Sequence, residues 1–127
     1  MSALRIFVVI TLALCLGSCA SPYRDGLALI ESGNVEVGLV KLEEAAKAEP
    51  GSRLFRTAYF RQREIAVQRL FAAAQTAWSQ GQPEVAETAY RRILAIDPEN
   101  SRAKAGLEAL TVERRELAVY EEVAQWS

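Results

Sequence analysis

The chain contains no histidine. Histidine is the commonest general base and a common metal ligand, so its absence weakens hydrolase, zinc and haem readings. An enzyme working through carboxylates or lysine is left open. Cysteine is nearly as scarce. The two residues, Cys15 and Cys19, both lie in or beside the N-terminal apolar run. A disulfide framework for the body is therefore excluded, and two cysteines without histidine cannot complete a metal site. Seven glycines and four prolines in 127 residues are too few for a disordered linker composition. An excess of positive charge is also missing. The net charge is −1 with both signs interspersed, which gives no electrostatic case for nucleic acid. There is no Gly-rich phosphate loop, GxSxG or HExxH motif, and no cofactor is implied.

What is present begins with an export address at residues 1–18. Arg5 supplies a short positive region and Ile6 to Leu16 an apolar one. The apolar run is too short to span about 30 Å of hydrocarbon, which takes roughly 20 helical residues. This is the pattern of a secretory signal peptide. Its end, Leu16-Gly17-Ser18-Cys19, resembles the bacterial lipobox. The resemblance implies cleavage before Cys19 and a diacylglycerol on its thiol, with two or more acyl chains (palmitate among them) giving stable anchoring. Residues 19–22 would then form the lipid-anchored N-terminus. Ala20 and Ser21 follow, with no Asp beside Cys19. By the enterobacterial sorting rule this implies the outer membrane, facing the periplasm. Cys15 reads as an ordinary residue of the apolar run.

From residue 23 to 127 the pattern is helical. Tyr23 to Ser32 carries Leu27, Leu29 and Ile30 and breaks at Gly33-Asn34. Val35 to Ala48 follows, with Asn34 as its expected N-cap, and stops at Pro50-Gly51. Ser52 is placed to cap the next helix. From Arg53 to Gln80 there is neither Gly nor Pro. A helix of that length runs about 42 Å at 1.5 Å per residue, so part of it overhangs, packs on a separate piece of chain or meets a partner. Pro83 opens the next helix, where its missing N–H costs nothing. Val85, Ala86, Ala89, Tyr90, Ile93 and Leu94 form its apolar stripe, and Pro98 ends it by forcing Asp97 out of the α region. A last helix runs from about Ser101 to Gln125, with a charged, solvated stretch from Val112 to Glu122.

Two of these segments repeat. Gly33 aligns with Gly81 and Pro50 with Pro98, while Gly38, Leu42 and Ala45 fall on Ala86, Tyr90 and Ile93. The unit is helix, Gly turn, helix, Pro stop. Val67 to Asn100 resembles the tetratricopeptide repeat (TPR), a 34-residue helical hairpin. It matches that pattern at Ala74, Gly81, Ala86, Tyr90 and Pro98, with Ile93 larger than the usual Ala. The upstream unit matches at Gly26, Gly33, Gly38, Ala45 and Pro50. Small residues there let paired helices cross closely. The period departs from the family: Gly33 and Gly81 are 48 positions apart, and the extra residues, Arg53 to Ala66, sit in the long helix. The resemblance implies an all-α fold of the α-solenoid type, with about two degenerate repeats, an unusually long central helix and a C-terminal capping helix. Such arrays bury their faces only on neighbours, so a partner, an oligomer or further chain is expected.

In TPR arrays the first helix of each unit lines a concave binding surface. The matching positions are Gln68, Phe71, Gln75 and Trp78, two aromatics alternating with two amides, which makes them the candidate partner-binding strip. The carboxylate pairs Glu43-Glu44, Glu113/Glu116 and Glu121-Glu122 read as solvated faces. Arg61, Arg63 and Arg69 beside Tyr59 and Phe60 read as a solvated helix face with apolar stems. The signal, the repeat pair and a run like Thr111-Val112-Glu113-Arg114-Arg115 resemble the N-terminal region of lipoprotein secretins of type II secretion and type IV pilus systems. That resemblance covers nearly all of the chain but only the front of such a protein. It implies a non-enzymatic protein–protein interaction module in a secretion or pilus assembly. A stand-alone scaffold lipoprotein of outer-membrane protein assembly or envelope maintenance is the alternative. A cell-wall-acting enzyme is a remote one.

Overall fold

The computed structural model describes residues 21–126; the stretch expected to be a signal peptide and the expected lipidation site Cys19 lie outside the described residues. Within them the protein is all-α, with five helices and no strand: α1 Pro22–Glu31, α2 Val35–Ala48, α3 Arg53–Ser79, α4 Pro83–Ile96 and α5 Ser101–Gln125. The chain divides into two compact units. The boundary falls inside α3, with Arg56 ending the first and Thr57 beginning the second.

The repeat is visible as backbone chemistry. At the end of α1, Gly33 sits at φ 90°, its N–H bonds to the Ile30 carbonyl and the N–H of Asn34 reaches back to Leu29. At the end of α3, Gly81 sits at φ 70°, its N–H bonds to Trp78 and that of Gln82 to Ala77. Both are Schellman caps, and only glycine takes this left-handed conformation without strain. The second stop repeats as well. Glu49 and Asp97, each before a proline, leave the α region at φ −126° and −137°. The N–H of Ser52 then bonds to Glu49, and that of Asn100 to Asp97. Finally Ser52 Oγ accepts from the Phe55 N–H at 3.3 Å, and Asn100 Oδ1 from the Ala103 N–H at 3.0 Å. These are N-caps.

Asn34 differs from expectation. It precedes α2, yet its side chain makes no cap bond. Its Nδ2 instead donates to Ser32 Oγ at 3.2 Å, and its backbone N–H is held by the preceding helix. Asn34 still holds the N-cap position, its carbonyl accepting from the Gly38 N–H, while its side chain turns back to Ser32.

In the first unit α1 and α2 meet at Gly26 and Gly38, both buried. A Cβ on Gly38 would stand 2.7 Å from the Gly26 carbonyl oxygen, and a Cβ on Gly26 2.9 Å from that of Gly38. The helices therefore touch backbone to backbone. Leu39, Leu42 and Ala45 fill the space beneath, and Tyr23 stacks on Phe55 with centroids 4.8 Å apart.

In the second unit the corresponding positions hold Ala74 and Ala86, both fully buried. Its core joins Val67, Phe71 and Ala77 of α3, Ala89, Tyr90 and Ile93 of α4, and Ala103 and Leu110 of α5. Phe71 meets Tyr90 edge to face at 6.1 Å, a favoured geometry for aromatic quadrupoles. Gly106 of α5 leaves room for the Tyr90 ring, since a Cβ there would lie 2.5 Å from its Cζ. The α4 stripe is narrower than its sequence pattern: Val85 is 54% exposed, and the core takes Ala86, Ala89, Tyr90 and Ile93.

Candidate binding groove

The four residues expected to line a binding strip do not share one surface. Phe71 is 5% exposed, closed in by Tyr90 and capped by the Arg102 guanidinium, whose Cζ lies 4.2 Å from the ring centroid. That cation over a ring face completes its enclosure. Gln68 and Gln75 are exposed, and Gln68 Nε2 donates to Glu64 Oε1 one turn earlier at 2.7 Å. Only Trp78 combines a large apolar face with access, half-buried at the edge of the core. The reason is periodic. Val67, Phe71, Ala74 and Ala77 lie on the side of α3 that α4 and α5 cover, which puts Phe71 inside.

Beside Trp78 the structure opens a groove of about 410 Å³. Trp78, the turn residue Gly81 and Pro83 at the start of α4 form one wall, and Leu110, Leu117 and Ala118 of α5 the other. Glu84, Glu113, Arg114 and Glu121 stand at its edge. The volume falls within the range of ordinary ligand sites, and the lining is apolar with a few charged groups. The groove exists because α5 continues well past the core. Its last buried residue is Leu110, yet the helix runs on to Gln125.

Arg114 is held in place across the fold. Its Nη2 donates to Glu87 Oε2 of α4 at 2.8 Å, and the other oxygen of Glu87 accepts from Arg91 at 2.7 Å. The hydrogen bond from Arg114, then that from Arg91, hold the Glu87 carboxyl below the usual carboxylate range, and Glu87 raises Arg114 in return. Arg114 also feels the Glu84 charge, and with Glu84, Glu113 and Glu121 against this one arginine the groove edge is net acidic.

The other charged clusters are locally committed. Lys41 pairs with Glu44 and Lys47 with Glu43, each at 2.9 Å. Arg63 meets Asp97 at 3.3 Å and lies 6.0 Å from the Phe60 ring. Glu113, Glu116, Glu121 and Glu122 are exposed along α5. Among the described residues no three His, Cys, Asp or Glu side chains converge as a metal site.

Sequence reasoning missed the groove because its second wall comes from a stretch dominated by charge. The available signal was the spacing of Ala103, Leu107, Leu110 and Leu117, which continues the core-facing stripe of α5 beyond the core. The Glu87–Arg114 contact joins residues 27 positions apart and has no local sequence signature. Comparison with protein-family models, with curated proteins and with solved structures finds no match to this chain.

Proposed function

We propose that the chain is a TPR-like protein-binding module, anchored by lipid on Cys19 to the periplasmic face of the outer membrane. The groove beside Trp78 carries this reading: it pairs an apolar floor with an acidic rim on a helical scaffold. Its chemistry suits a peptide segment with aliphatic side chains flanked by Lys or Arg. The matching caps at Gly33 and Gly81, and again at Ser52 and Asn100, support the TPR-like assignment despite the long period. The lipobox-like Leu16 to Cys19 supports the anchor, and the secretin resemblance supports a place in a secretion or pilus assembly.

The groove is tested by titrating the full-length protein with two model peptides of equal apolar content, one Lys/Leu and one Glu/Leu. The Lys/Leu peptide binds and the Glu/Leu peptide does not. Trp78→Ala and Leu117→Gln remove binding while helicity by circular dichroism is kept. Equal binding of both peptides, or unchanged binding by both variants, overturns the reading. Independently, Cys19→Ala abolishes fatty-acid labelling and releases the protein from the outer-membrane fraction.

A further inference from the structure

The groove uses one side of the distal half of α5. The opposite side is a second apolar stripe. Val112, Val119, Val123 and Trp126 are 46%, 58%, 60% and 86% exposed. With Ala105, Ala109 and Glu116 they recur at alternating spacings of three and four, within roughly a quarter of the helix circumference. That is the seam of a two-helix coiled coil, interrupted once by Glu116.

We infer that this seam pairs with its own copy, joining two chains by antiparallel contact of the distal α5 helices. Size and charge select this arrangement. In the antiparallel register Val112 faces Val123, Glu116 faces Val119, and the large Trp126 faces the small Ala109. Arg115 and Glu122, which flank the seam on one side, then oppose each other twice by two-fold symmetry. A parallel pair would set Trp126 on Trp126, Glu116 on Glu116, and Glu108 beside Glu113. Both local sizes and local charges therefore favour the antiparallel solution. A lipid surface fits the same face less well. From Thr111 to Trp126 the helix carries Arg114 and Arg115 against Glu113, Glu116, Glu121 and Glu122, a net negative charge that anionic membranes repel. No described helix is long and apolar enough to cross a membrane.

The pair is weak by design of its own sequence. The paired length is only about five turns, and Glu116 sits in the seam. The full-length chain, in excess detergent micelles, self-associates with a dissociation constant on the order of 10–100 μM by sedimentation equilibrium. Val119→Glu abolishes association. Glu116→Leu tightens it by about tenfold, since two carboxylates leave the seam. Both residues are exposed, so both variants keep the parent's helicity.

Register is read by disulfide trapping in a full-length background carrying Cys15→Ser and Cys19→Ser. Val112→Cys mixed with Val123→Cys cross-links, and neither does so alone. A monomer at ten times the stated concentration, or no gain with Glu116→Leu, overturns the inference. Self-cross-linking of Val112→Cys overturns the antiparallel register. A blue shift of Trp126 emission on vesicles, in a Trp78→Phe background of a monomeric chain, assigns the face to lipid instead. The peptide groove lies on the other side of α5, so failure here leaves that reading untouched.

Discussion

The α1–α2 hairpin and the α3–α4 hairpin share their punctuation and differ in their filling. Each turns through a left-handed glycine, Gly33 or Gly81, with the same pair of capping hydrogen bonds. Each ends before a proline and hands over to a side-chain N-cap, Ser52 or Asn100. Inside, the first closes on bare backbone at Gly26 and Gly38, with Leu42 beneath. The second keeps a methyl on each helix, Ala74 and Ala86, and places Tyr90 and Ile93 where the first has Leu42 and Ala45. Turn geometry and core volume are thus separable: one capping solution serves two packing solutions.

The largest expected effects probe the filling. Tyr90→Ala removes the ring that meets Phe71 and that Gly106 accommodates, and should cost about 3–5 kcal/mol in urea titration. Leu42→Ala should cost about 2–5 kcal/mol and fall below Tyr90→Ala in the same assay. The reverse order would mean that the first hairpin, not the second, holds the better-filled core.

A mid-sized effect separates the two crossings. Gly38→Ala gains up to about 1 kcal/mol of helix propensity. It must also force a Cβ against the Gly26 carbonyl, so a net loss of about 1–3 kcal/mol is expected in thermal melts. A gain would show that the helices separate at no cost and that the glycine contact is incidental. Smaller still, Gly33→Ala and Gly81→Ala should each lose about 1–2 kcal/mol from the left-handed conformation alone. Neither new methyl would meet any atom within 4 Å. Unequal losses would break the equivalence of the two turns.

The smallest effect belongs to one unit only. Glu87 corresponds to Leu39 in the first hairpin, so its bridge to Arg114 has no counterpart there. Because the fold lowers the Glu87 pKa, its contribution is present above the ordinary carboxylate value and disappears as pH falls through the lower, folded value. Glu87→Gln should therefore melt below the parent at neutral pH and converge with it in acid. A constant gap across pH would mean that the bridge adds nothing through charge.

Much of the scaffold was legible because it is encoded locally. Gly33, Pro50, Gly81, Pro83 and Pro98 set the breaks, and the 3.6-residue period set the helices between them. Ser52 was readable as a cap for the same reason. Asn34 was readable as the N-cap position but not in its side chain, which turns to Ser32 and makes no cap bond. Phe71 shows the limit for the site. Its spacing placed it on a helix face but could not say which face α4 and α5 would cover. The groove depends on the reach of α5 past the core, and on Arg114 meeting Glu87, both products of packing rather than of pattern.

That reach gives α5 two thermodynamic lives. Ala103 and Leu110 are sealed in the core, while from Thr111 onward every described residue is exposed. Amide protons in the first half should exchange only when the second unit opens. Those from about Val112 should exchange through local fraying, orders of magnitude faster. Self-pairing would erase the difference, so distal protection that rises with protein concentration would record assembly directly in the backbone.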